Sequence, residues 1–444
     1  MATTFTNPNP GPWTDTQKAF FRFIFIYLVL QAVPLDWKFY RDLFSINWAD
    51  LYYGDIFTIS RYFPRFFSGA ETFADWFLLV IIAAVGAFVW TKRDPQNTDY
   101  NTLYYWLRVI VRYRLAIGII GYGMIKFFPA QAPFPSISNL NTNYGDFHAW
   151  KIFSLSLGIV PGYESFLGGV EILAGLLLFF RKTASVGALL ILVFTGNVFM
   201  SNLAYEGGEY VYSFYLIVLA LFVLAHDAQR IYNLVSLERP TSPDTFKPEF
   251  PGKLKNVRLA LKGFVIFFFV FLYGYATYSD YKTDPYQFPV SKGIPGASGI
   301  YNVSEFRINN KVIPYSLTDP TRWKDVVFEK WATISIRSNR LVILDSTNAE
   351  KISRNDKDRN YELAGSGGRH YYSYKADTPG NVLRLENKNK NYPDETLTLQ
   401  YTKPDSSTII LRGLNENKDS VYAVLNKIHK KYPVKLGRLG SLKL

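Results

Sequence analysis

Phe166-Leu167-Gly168-Gly169-Val170-Glu171-Ile172-Leu173-Ala174-Gly175-Leu176-Leu177-Leu178-Phe179-Phe180 is apolar on every side of a helix except at one position, Glu171. A soluble amphipathic helix carries one apolar stripe, whereas a run that is apolar all round is a buried or membrane-spanning segment. The runs Phe73–Trp90 and Leu259–Tyr275 have the same character. A carboxylate in such a run costs roughly 2.5–3.5 kcal/mol on insertion scales and normally faces a partner or a water-filled cavity. Glu171 therefore marks a site.

Working outward, the 444 residues divide into two kinds of sequence. Long apolar runs fill residues 1 to about 280, and a polar remainder follows. This predicts a polytopic helical membrane bundle followed by a second domain. Seven spans are expected, near Ala19–Val33, Phe73–Trp90, Trp106–Phe128, Tyr163–Phe180, Thr183–Asn202, Val211–Ala225 and Leu259–Tyr278. The aromatic-rich segment Lys38–Phe67, with charges interleaved, is expected to lie along the membrane surface. Pro-rich linkers are expected at Arg239–Lys255 (Pro240, Pro243, Pro248, Pro251) and at Asp280–Gly299.

Beyond Gly299 the pattern changes to short alternating runs: Ile300–Ile308, Val326–Glu329, Thr333–Arg337, Leu341–Leu344, His370–Tyr374, Val382–Leu385, Thr396–Tyr401 and Thr408–Leu411. Asn309-Asn310, Pro379-Gly380 and Pro404-Asp405 supply turns between them. Period-two alternation at this spacing predicts an all-β antiparallel barrel or sandwich, with Asp419–Lys431 closing it.

Composition excludes several chemistries. Cys is absent, which removes disulfides, thiolate nucleophiles and thiolate metal sites. The four His (148, 226, 370 and 429) form no close pair at helix spacing, so no metal site is expected. The net charge of +13 sits beside apolar spans and is scattered through the tail, which fits a lipid surface and not nucleic acid. Lys92, Arg93, Arg181, Lys182, Arg230 and Arg239 cluster at alternate span ends, whereas the loops Pro129–Gly162 and Leu203–Tyr210 are poor in cations. The positive-inside rule then puts the N-terminus in the cytoplasm and the C-terminal domain outside it.

The polar residues of the bundle give the candidate site. Glu164, Gly168, Glu171 and Gly175 share one helical face, as do Arg114, Gly118 and Gly121 on the preceding span. At 1.5 Å per residue, Glu171 lies about 12 Å and Arg114 about 21 Å from the outer ends of their spans, so their side chains are expected to meet. Lys126 is expected to snorkel at the outer end. Asn197 falls within about 5 Å of Glu171 in depth. Asn202 and Glu206 come at the outer mouth. Two readings remain open: a buried ion pair that fixes helix register, or a polar pocket for a small ligand, a proton or a quinone head group. His226-Asp227, at an inner span end, is a candidate proton-handling dyad. Ser366-Gly367-Gly368-Arg369-His370 has hydrolase-like residue types but no nucleophile elbow, and reads as a glycine-rich turn.

The stretch Arg114–Phe128, with its Arg, glycine pair and terminal Lys, resembles the opening helix of the DoxX family, and Gly169–Leu178 resembles that family's second helix. Gly187–Phe199 fits the third. The resemblance implies a four-span core over residues 108–226 in a bacterial inner membrane, with Arg114, Lys126 and Glu171 as the matched polar positions. It divides the chain into a membrane region (1–107), that core (108–226), a linker with a further span (227–298) and an extracytoplasmic β domain (299–444). The expected role is a subunit or partner-binding module of a membrane complex. The alternative is a quinone-linked oxidoreductase with its pocket around Glu171; thiol-linked family chemistry would want the Cys that this chain lacks.

Overall fold

The computed structural model describes residues 13–67, 71–93, 98–242, 246–249, 252–344, 352–353, 355–356, 358–377 and 380–436. Pro243, Pro251 and Pro379, expected in linkers and a turn, lie outside them. The chain forms two compact units. The first holds the described residues up to Phe128, then Phe166–Leu203 and Glu209–Ser279. The second holds Pro129–Ser165, Ala204–Gly208 and the described residues from Asp280 onward. The expected loop Pro129–Gly162 of the four-span core, with the first residues of the expected fourth span (Tyr163–Ser165), therefore clusters with the β domain.

In chain order the helices are α1 (Asp15–Ala32), α2 (Trp37–Ser45), α3 (Tyr53–Ser60), α4 (Phe73–Arg93), α5 (Tyr100–Phe127), α6 (Ile137–Leu140), α7 (Ala149–Gly158), α8 (Pro161–Leu178), α9 (Ala184–Ala204), α10 (Tyr210–Ala225), α11 (Ala228–Val235), α12 (Gly252–Ile266), α13 (Tyr273–Asp280) and α14 (Pro433–Leu436). A π-helical stretch, Phe267–Leu272, joins α12 to α13. Starts are set by side-chain caps: Thr14 and Gln17 form a capping box on α1, and Asp99 accepts the Asn101 and Thr102 amides of α5.

Among the described residues, four helical stretches are long and apolar enough to cross a membrane: Asp15–Ser45, Phe73–Arg93, Ala184–Ala204 and Gly252–Asp280. Tyr210–Ala225 with Ala228–Val235, bent by 69°, would make a fifth. Helices also stand at the other two expected spans, but α5 carries Arg108, Arg112, Arg114 and Lys126, and α8 has only 18 residues with Glu164 and Glu171 among them. Many of the apolar side chains point away from the bundle interior, among them Phe77, Val85 and Phe88 on α4 and Phe264, Phe267 and Phe271 in the last helical stretch.

The segment expected to lie flat divides in two. Helix α2 buries none of its residues, and Trp37 and Phe44 are exposed. Helix α3 packs inward: Tyr53 and Ile56 are fully buried, and Ser60 Oγ would stand 2.2 Å from a Cβ placed on Gly121 of α5. A glycine there is what lets α3 approach so closely.

In the second unit, β1 (Gly299–Ile308), β2 (Lys311–Val312), β3 (Asp325–Phe328), β4 (Thr333–Arg337), β5 (His370–Asp377), β6 (Val382–Asn387), β7 (Thr396–Thr402), β8 (Thr408–Asn415) and β9 (Ser420–Ile428) form one antiparallel sheet. Eight of them close into a barrel through β1–β9 pairing, from Ile300 opposite Ile428 to Ile308 opposite Val421, so the fold is a barrel and not a sandwich. The short β2 is a hairpin arm of β1, turned by Asn309 and Asn310, both at positive φ as a two-residue hairpin loop requires. The expected strand Leu341–Leu344 is instead an irregular segment. Alternate residues fill the interior, including Tyr301, Phe306, Trp323, Leu383, Leu399 and Leu425.

Candidate functional site

Helix α5 is the axis of the polar groups in the first unit. Its Arg114 does not meet Glu171. The guanidinium Nη2 donates to the carbonyls of Ser60 (2.7 Å) and Tyr62 (2.6 Å) and to the Tyr212 hydroxyl (3.2 Å), while Nε reaches the Tyr215 hydroxyl at 3.3 Å. The physical reason is the end of α3. The last carbonyls of a helix have no intrahelical partner, and those of α3 end inside the unit, where Arg114 satisfies them.

Glu171 is paired with Lys126 instead, Nζ to Oε1 at 2.5 Å, with both residues buried. Lys126 therefore does not snorkel outward. The pairing follows from the helix crossing. A Cβ on Gly168 would stand 2.3 Å from the Phe127 amide nitrogen and 2.5 Å from the Gly123 carbonyl oxygen, so α5 and α8 touch backbone to backbone there. Glu171, one turn further along α8, is thereby set beside Lys126. Its second oxygen, Oε2, is buried without a hydrogen-bond partner.

A second charged group was not foreseen from sequence. Arg61, just after α3, donates through Nη2 to Glu209 at 2.7 Å and to Glu71 at 3.1 Å, and through Nη1 to the other Glu71 oxygen. Its Nε bonds the Tyr122 hydroxyl, which itself donates to Glu209. Lys126 Nζ lies 5.7 Å from the Tyr122 ring and Arg61 lies 5.0 Å from the Tyr212 ring. Tyr122 and Tyr212 thus link the three cation centres into one network. Arg61 sits among interleaved aromatics and charges that resemble an interfacial segment, and Glu71 and Glu209 are isolated loop acids; no spacing connects them.

The remaining candidates fall elsewhere. Asn202 caps the turn before α10, donating to the Val198 carbonyl and accepting from the Glu209 amide at 3.1 Å, which helps to place Glu209. Asn197 is exposed on α9 and does not face Glu171. His226 turns its Nδ1 to the Tyr104 hydroxyl at 3.3 Å, and Asp227 takes Ser185 and Arg230. Glu164, in the second unit, accepts the Gln131 and Ala132 amides at 3.2 Å.

The second unit has its own buried charges beside the barrel. Arg359 pairs with Glu362, and Lys388 Nζ stands 3.6 Å from the other Glu362 oxygen. Against its burial, these cations hold the Glu362 carboxyl down at about 2. Arg369, in the glycine-rich turn, donates to Ser335 and pairs with Asp325. His370 lies against Arg340, which also binds Glu395; burial and that guanidinium push the imidazole down to about 4. Among the described residues no cluster of His, Asp and Glu is arranged to hold a metal ion.

No family model, curated protein or solved structure matches the chain, and none therefore supports the DoxX resemblance.

Proposed function

We propose that the chain is an integral protein of a bacterial inner membrane that works as a subunit of a membrane complex, with seven crossings and its barrel held outside the cytoplasm. The observation that carries this reading is the direct closure of Lys126 on Glu171 at 2.5 Å. Arg114 is likewise committed to backbone carbonyls and Arg61 to two carboxylates, so the polar centre of the bundle holds helices in register. The barrel interior is filled with side chains, while Val312 in β2, Tyr315 and Leu317 after it, and Leu341 stay exposed. Large apolar side chains left in water on a folded domain favour contact with a partner protein. The cation-poor loops Pro129–Gly162 and Leu203–Tyr210, set against Lys92, Arg93, Arg181 and Lys182 at alternate span ends, support the orientation. Purification in mild detergent tests the proposal: a stoichiometric protein partner is expected, and a persistent assembly of this chain alone counts against it.

One observation favours a second reading. Glu171 Oε2 is a buried acceptor without a hydrogen-bond partner, and an apolar groove of about 330 Å³ lies between α5, α8 and α13, lined by Met124, Phe127, Ile172, Leu176 and Gly274 and without Glu171 in its wall. A quinol hydroxyl is a donor that such an oxygen accepts, and a polyprenyl tail suits the groove. Titration with a ubiquinol or menaquinol analogue decides it: binding that Glu171→Gln weakens at least tenfold supports the quinone site, and no binding rejects it.

A further inference from the structure

Helix α9 has one packed face and one open face. Ala184, Gly187, Ala188, Ile191 and Thr195 are buried, and a Cβ on Gly187 would stand 2.7 Å from the Ala174 carbonyl of α8. On the opposite side Val186, Leu189, Val193, Asn197 and Met200 follow 3-4-4-3 spacing and are all exposed. Four of these five are apolar. Asn197 is the exception, and its amide has no hydrogen-bond partner among the described residues.

Its depth makes this costly. Asn197 lies 13 residues from one end of the 21-residue helix and 7 from the other, or about 20 Å and about 10 Å. In a hydrocarbon core about 30 Å thick that is well inside the lipid. Polar side chains on membrane helices are found at helix contacts, where they hydrogen-bond across.

We propose that α9 is the contact between two copies of this chain, related by a two-fold axis along the membrane normal, with Asn197 hydrogen-bonded to Asn197 of the second copy. The occupant follows from the chemistry of the amide. It carries both donor and acceptor, and at a two-fold axis a residue meets itself, so the amide is its own complement. No charged side chain lies on the exposed stripe to call for a partner of opposite sign. Gly196 beside it has nothing within 4 Å of its Cβ position, which leaves room for a second backbone. The inference rests on α9 crossing a membrane and not on the identity of the complex partner.

The absence of native Cys allows a direct test on the full chain in its membrane. Val193→Cys, Asn197→Cys and Met200→Cys, each oxidised in membranes, are expected to give a disulfide-linked species of twice the chain's mass. Val85→Cys, exposed on α4, is the control and is expected to give none. Asn197→Leu should lower the dimer fraction in lipid, with the dissociation constant rising roughly three- to tenfold, and Asn197→Gln should restore it. Cross-linking no stronger than at residue 85, or cross-links only to a chain of another mass, overturns the proposal. Resistance to alkaline carbonate is measured on the same membranes. A chain that resists extraction without α9 cross-links fails only this inference, whereas a chain that is extracted fails the membrane reading as well.

Discussion

Lys126 Nζ stands 2.5 Å from Glu171 Oε1, a contact between residues 45 apart that ties α5 to α8. Removing one member of a buried pair leaves the other charge uncompensated, at about 3–5 kcal/mol, whereas apolar replacement of both is often neutral or better. Lys126→Met should therefore lower the unfolding midpoint in detergent sharply, and Lys126→Met with Glu171→Leu should recover most of the loss. Additive losses in this cycle would show that the pair is not the unit that holds these helices.

The crossing itself is tested by two adjacent glycines. A Cβ at Gly168 meets backbone at 2.3 Å, whereas a Cβ at Gly169 meets only the Phe127 ring at 3.7 Å. Gly168→Ala is expected to destabilise by about 1–3 kcal/mol through forced helix separation. Gly169→Ala should be neutral, or stabilise by up to about 1 kcal/mol from better helix propensity. Thermal unfolding of both variants in one detergent checks the contrast.

In the barrel, Gly413 of β8 is hemmed in by its neighbour strand, with the Thr398 carbonyl oxygen 1.9 Å and Leu399 Cα 2.8 Å from its Cβ position. Gly413→Ala should separate β7 from β8 and cost about 1–3 kcal/mol or more. Hydrogen exchange should show protection lost first at Leu399 and Arg412, while Gly145→Ala, in open space, leaves the pattern unchanged.

Acid should loosen the barrel in a defined window. The His370 imidazole is held down at about 4 by burial and Arg340, below the ordinary value near 6.5. Between those values the unfolded chain binds the extra proton, so stability is full above about pH 6.5 and falls as pH drops toward about 4. His370→Gln should remove that slope and leave the loss that Glu362 sets, which runs from about pH 4.5 down to about 2. Exchange rates of β4 and β5 amides against pH read both limbs.

The barrel was legible because each strand carries its own alternating pattern. Thr333–Arg337 was expected with the bounds of β4, and the change of pattern at Gly299 is where β1 begins. Leu341–Leu344 alternates as well, but its neighbour β4 already pairs with β3 and β5, so no edge remains for it. In the bundle, Lys126 and Arg114 are each about 9 Å from Glu171 in depth, so depth alone could not choose between them. The choice is made by Gly123 against Gly168, a contact of α5 with α8, and by the carbonyls at the end of α3. Asn197 was misplaced because depth says nothing of azimuth; the small residues of α9, Ala184, Gly187 and Ala188, mark the face that packs, and Asn197 lies opposite.

Glu329 holds the Ser138 amide at 2.7 Å and its hydroxyl at 2.6 Å, across 191 residues of chain. During synthesis, at roughly 5–20 residues per second, Ser138 leaves the ribosome about 10–40 s before Glu329 exists. The stretch from Pro129 to Ser165 must therefore wait, unfinished, until the last third of the protein has been made. Release of any chain that stops short of β3 would leave α6 and α7 without the partners that fold them, a state for quality-control proteases to find.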